Sequence, residues 1–120
     1  MSADSVPPVG DRPRLTVTVE LGEPTVLTVA GESDLDSIGP LHQAVEQALD
    51  HHPQLVLDLA GVSFADSTFL RALLLARSAA AKQAGSVRLL AVSISVQRIL
   101  DLTGVGEMFP VIADGQLKQS

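Results

Sequence analysis

An apolar run, Leu55-Val56-Leu57-Asp58-Leu59-Ala60, hands over through Ser63-Phe64-Ala65-Asp66-Ser67-Thr68-Phe69-Leu70 to a stretch of helix formers that reaches about Ala84. No other stretch constrains the fold as much. A strand that is apolar almost throughout, with Asp58 the exception, reads as a central strand covered on both faces. Asp66, Ser67 and Thr68 then fall where the strand gives way to the helix. The first turn of a helix gathers free N–H groups and the positive end of the macrodipole. A hydroxyl there either caps the helix or carries a phosphate that the same N–H groups would welcome.

The remaining elements follow from periodicity. Leu15, Val17 and Val19 alternate with Thr16, Thr18 and Glu20, the pattern of a half-buried strand. Gly22-Glu23-Pro24 is a turn, and Val26, Leu27, Val29 and Ala30 make a second strand antiparallel to the first. Gly31 to Ser37 is a polar loop in which Asp36 or Ser37 caps the next helix, with Pro40 in its first turn. Leu41, Ala44, Val45, Ala48 and Leu49 share one helical face, and His51-His52-Pro53 ends that helix. In the helix after Thr68, Leu70, Leu73, Leu74 and Arg77 mark one face, while Ala72, Leu75, Ala76 and Ala79 widen the apolar surface; Gly85 is its stop. A fourth strand covers Val87 to Val92. Ser93 or Ser95 caps a third helix with Val96, Ile99, Leu100 and Leu102 inward, ended by Gly104, and Met108 to Ala113 is a short last strand.

This order predicts a single domain at the border of α/β and α+β: a mixed sheet of four or five strands packed with three or four helices, with parallel crossovers after the second strand. The expected boundaries are a disordered arm over residues 1–13, the domain over 14–113 and a flexible tail over 114–120.

Composition narrows the function. Aromatic residues make up only 2% of the chain, so the core is aliphatic and platforms for stacking bases are nearly absent. The net charge of −6 leaves no basic patch of the kind phosphate backbones require, which argues against nucleic acid and for protein partners. Without Cys there are no disulfides, no thiol catalysis and no Cys-ligated zinc, in keeping with a cytoplasmic protein. The N-terminus lacks the basic and apolar segments of a signal peptide. No apolar stretch approaches the roughly 20 residues that span a bilayer, so membrane insertion is not expected.

Each candidate group has a plain structural role beside a functional one. Ser67 is either a first-turn helix residue or a phosphoacceptor, and no nucleophile-elbow pattern surrounds it. Asp66 is a cap, or it orients the Ser67 hydroxyl. Asp34 and Asp36 are turn and cap residues; Asp34 also follows a strand that plausibly neighbours the one before Asp66, so the two carboxylates can meet at one sheet edge. Such a pair is compatible with a metal or acid/base site. With no His, Cys or Lys placed to help, enzyme chemistry ranks well below protein recognition, and no cofactor is called for. Adjacent His51 and His52 point apart and lack ligand spacing, His42 is a lone surface residue, and Gly104-Val105-Gly106 is a helix end rather than a dinucleotide fingerprint.

At this point the chain resembles a family. Gly31-Glu32-x-Asp34, Leu55 through Gly61-Val62-x-Phe64-x-Asp66-Ser67-Thr68-x-Leu70, Leu100-x-Leu102-Thr103-Gly104-Val105 and Phe109-Pro110 look like a STAS domain, and more narrowly like a small bacterial anti-sigma factor antagonist (anti-anti-sigma factor). The resemblance implies a protein that is not an enzyme. It would bind an anti-sigma factor that is also a serine kinase, release a sigma factor and so act in transcription regulation. Phosphorylation of Ser67 would end the binding, and a PP2C-type phosphatase would restore it. Asp34, Asp66, Thr68 and Phe69 are the residues expected to face the partner or kinase. Phe69 stands where the family often has Gly, so its side chain either alters the kinase approach or anchors a partner. Ser33 stands where the family usually has an aliphatic residue. A second expectation is a STAS subunit that serves as a structural module of a lipid- or solute-transport complex without phosphorylation at Ser67.

Overall fold

The computed structural model describes residues 14–32 and 38–112. The expected arm over 1–13 and tail over 114–120 lie outside these residues, as do Asp34, Asp36 and Ser37. Four strands form one sheet in the order β1-β2-β3-β4, with β1 at Thr16–Glu20, β2 at Thr25–Glu32, β3 at Gln54–Phe64 and β4 at Ser86–Val92. β1 is antiparallel to β2, while β2, β3 and β4 run parallel. Helix α1 (Gly39–His51) crosses from β2 to β3, α2 (Ser67–Ala81) from β3 to β4, and α3 (Ile94–Thr103) follows β4. The expected mixed α/β domain with parallel crossovers is what forms. The last expected strand is reduced to a 3₁₀ helix at Gly106–Met108 and a single parallel bridge from Val111 to Leu89.

One core holds the layers together. Leu27, Val29, Leu55, Leu57, Leu59, Val87 and Leu89 supply its sheet side; Leu41, Val45, Leu73, Ala76, Val96 and Leu100 supply its helix side. Val56 is equally buried yet stands apart from this cluster. It lies on the opposite face of β3, in register between half-buried Val26 and Arg88. At Val56 the second face of β3 is buried as well, in keeping with a central strand covered on both faces.

β3 also runs four residues beyond the expected Ala60. Gly61, Val62 and Phe64 continue the ladder against Ala30, Gly31 and Glu32 after shifts in register. One shift falls at Asp58, whose Oδ1 accepts the Ala60 amide at 3.2 Å. Gly61 reads as a breaker, but here it permits close strand approach: a Cβ at this position would lie 2.9 Å from the Ala30 Cβ.

Helix ends show two further differences. The capping position of α1 is Ile38, which makes no side-chain cap bond. At the end of α2 the left-handed residue is Ala84, with φ 59°, and not Gly85. Gly85 is required for another reason, since a Cβ there would run into the Pro53 backbone. α3 ends as expected, with Gly104 at φ 75° and its amide donating to the Leu100 carbonyl at 2.9 Å.

Candidate functional site

The carboxyl ends of the parallel strands share one edge, the usual functional edge of such sheets. β2 ends there at Glu32, in register with Phe64 at the end of β3. Ala65 and Asp66 turn the chain into α2. Asp66 is extended at φ −125°, ψ −168°, and its Oδ1 accepts the Thr68 amide at 3.0 Å and the Phe69 amide at 3.2 Å. Its backbone carbonyl accepts the Leu70 amide at 3.1 Å. The cap of α2 is thus Asp66, with a single carboxylate oxygen satisfying two of the orphan N–H groups.

That assignment leaves Ser67 unused by the fold. It is the first residue of α2, exposed, and its hydroxyl makes no hydrogen bond among the described residues. Thr68 is half-buried beside it. The local chemistry is therefore an acceptor-ready hydroxyl on a fixed helical turn, one residue after a carboxylate whose Oδ2 takes no part in the cap.

Phe69 requires a correction. It was expected at the partner-facing surface, yet it is 0% exposed and packs in the core. With Leu73, Ala76 and Ala80 it falls at helical spacing on the inward face of α2, so its side chain holds the first turn down instead of projecting from it. Asp34 lies outside the described residues, so its expected approach to Asp66 is not described either.

The third helix bounds the site from the other side. Ser93 is its cap, with Oγ accepting the Val96 amide at 3.3 Å. Ser95 instead donates to the Ser63 carbonyl at 2.8 Å, tying α3 to the end of β3. Leu102 was expected inward, but it is 77% exposed, while Val96 and Leu100 make the inward face. Sequence reasoning missed this exposed side; Ile94, Arg98 and Leu102 at spacings of four were the available signal.

His51 and His52 lie at the opposite end of β3, where α1 turns into it. His52 Nδ1 accepts the Gln54 amide at 3.1 Å, closing the α1–β3 turn, and His42 and His51 are exposed on α1. Among the described residues no group of three or more His, Cys, Asp or Glu side chains could hold a metal ion. Among the same residues no helix is long and apolar enough to cross a membrane.

A sheet and helices in this order belong to a known class of protein. A family model described as Mlab, STAS domain matches residues 17–112, and the chain belongs to the STAS domain family. The family resemblance read from its motifs is thereby borne out. Among solved structures, an anti-sigma factor antagonist from Mycobacterium paratuberculosis is 32% identical, with a TM-score of 0.69 over 81% of this chain and 84% of that one. The anti-sigma factor antagonist SpoIIAA in its unphosphorylated form is 18% identical, with a TM-score of 0.72 over 85% of this chain and 92% of its own. The Bacillus cell fate determinant SpoIIAA in the phosphorylated form is 17% identical, with a TM-score of 0.68 over 87% of this chain and 97% of its own. At those two identities the likeness is one of fold. No curated protein matches the chain significantly.

Proposed function

We propose that this chain is an anti-sigma factor antagonist switched by phosphorylation of Ser67. In its unmodified form it binds a serine-kinase anti-sigma factor in the cytoplasm and frees a sigma factor. The kinase brings ATP and magnesium, transfers a phosphoryl group to the Ser67 hydroxyl and ends the binding; a PP2C-type phosphatase reverses the step. The chain itself turns over no substrate. The observation that carries this reading is the division of labour at the α2 start: Asp66 caps, and Ser67 is exposed, its hydroxyl making no hydrogen bond among the described residues.

Likeness to an anti-sigma factor antagonist at 32% identity supports the role, and a structural neighbour known in phosphorylated and unphosphorylated forms is consistent with the switch. A phosphate adds about −1.5 to −2 charge at neutral pH. Beside the Asp66 carboxylate that charge turns a closely fitted surface into one that repels an acidic partner and costs more to desolvate. Thr68, Asp66 through Oδ2, and Asp34 are the further residues assigned to the partner-facing edge.

The test is to mix the purified chain with serine-kinase anti-sigma factors and ATP and to map phosphate by mass spectrometry. Modification at Ser67 and none in Ser67→Ala is the expected result; phosphate elsewhere contradicts it. The family model establishes a STAS domain without naming a partner, and the second reading is a STAS subunit of a transport complex. Stable co-purification with an ATPase or permease selects that reading instead.

A further inference from the structure

The two edges of the sheet are finished differently. Beside β4, the Leu89 amide donates to the Pro110 carbonyl and the Ile112 amide to the Leu89 carbonyl, each at 2.8 Å. Residues 110–112 thus lie where a further strand would. β1 is the other edge, and among the described residues no strand pairs with its outer side.

An edge strand turns alternate amides and carbonyls away from its neighbour, which makes it a template for another strand. Natural edges are blunted by a bulge, a proline or a lysine. β1 reads Thr16-Val17-Thr18-Val19-Glu20 and contains none of these. Its pairing with β2 runs from Thr16↔Ala30 to Glu20↔Val26 without a shift, whereas both parallel ladders shift. The core is also unfinished on this side. Val17 and Val19 are half-buried, while Val29 and Leu27, their partners in register, are fully buried. Beside them runs a groove with Val19 and Leu21 on one wall and Gln47, Asp50 and His51 of α1 on the other. Leu21 is 61% exposed.

We propose that the β1 edge accepts a further strand from a partner protein, an extended segment whose alternate apolar side chains enter the groove and whose remaining side chains are basic. Main-chain hydrogen bonds to β1 supply affinity, and the groove supplies selectivity. Charge names the occupant. Glu20, Glu23 and Asp50 are exposed at this end of the strand, and no Lys or Arg lines the groove. A second copy of a chain at net charge −6 would bring like charge to the same place. The groove lies where β2 and β3 begin, at the opposite end of the sheet from Ser67, so the surface is independent of the switch.

The experiment titrates the isotope-labelled full chain with a heptapeptide of alternating lysine and valine, followed by amide NMR. Shifts and slowed amide exchange are expected over 16–20. A peptide with proline for its central valine cannot complete the ladder, and one with glutamate for lysine meets like charge; each is expected to bind at least roughly tenfold more weakly. The double variant Glu20→Lys, Asp50→Lys is expected to lose affinity by a similar factor with an unchanged unfolding midpoint, and Ser67→Asp to bind as the parent. Perturbation that maps away from β1, equal binding of the proline or glutamate peptide, or no binding at all overturns the proposal. So does a chain that sediments as a dimer and is dissociated by the lysine–valine peptide, since the edge would then be an interface between copies.

Discussion

Asp66 and Ser67 are adjacent, polar and both plausible caps, and the geometry assigns them different tasks. Asp66 Oδ1 accepts two amides of the first turn, so Asp66→Ala is expected to cost about 1 kcal/mol in denaturant unfolding. Ser67→Ala removes a hydroxyl that makes no hydrogen bond among the described residues, and its stability is expected to stay within about 0.5 kcal/mol of the parent. A larger loss in Ser67→Ala would return Ser67 to the role of a structural cap. Phe69 belongs to the same turn and to the core. Its replacement by Ala is expected to cost about 3–5 kcal/mol, read by the same unfolding experiment. The motif comparison drew attention to Phe69 as a departure from Gly and so toward the surface. Its spacing with Leu73, Ala76 and Ala80 pointed inward, and packing decided.

At the scale of the element, the informative places are where helices end and which way they face. The turn after α2 puts Ala84 at φ 59° and Gly85 against the Pro53 backbone. A left-handed conformation costs a residue with a Cβ about 1–2 kcal/mol, of which Gly returns about 0.5–1 through its greater freedom in the unfolded chain. Ala84→Gly is therefore expected to stabilise by about 0.5 kcal/mol, and Gly85→Ala to destabilise by more than that amount, both measured as midpoint shifts in thermal unfolding. A stabilised Gly85→Ala would mean that the close approach to Pro53 does not limit the site. In α3 the contrast is between faces. Leu100→Ala is expected to lose about 2–5 kcal/mol and Leu102→Ser to stay within about 0.5. Helix identity in α3 was legible from its period, but the placing of Leu102 was not. An Ile-Leu-x-Leu run marks several adjacent directions as apolar, and only the position of the sheet selects one.

Across the whole molecule, the mixed sheet and its parallel crossovers were readable from the alternation of strands and helical faces. The extension of β3 was not, because Gly61 normally punctuates a strand and here sits where two backbones come close. The capped start of α2 was legible because its chemistry is local: a cap, a hydroxyl and a helix start lie within four residues.

In the proposed switch, one hydroxyl at the start of α2 governs partner binding. Its most direct test is a titration of a serine-kinase anti-sigma factor that phosphorylates this chain with three forms of it: unmodified, phosphorylated at Ser67, and Ser67→Asp. The unmodified chain is expected to bind, and the phosphorylated chain at least tenfold more weakly, with Ser67→Asp shifted in the same direction. Equal affinity for all three forms would contradict the switch.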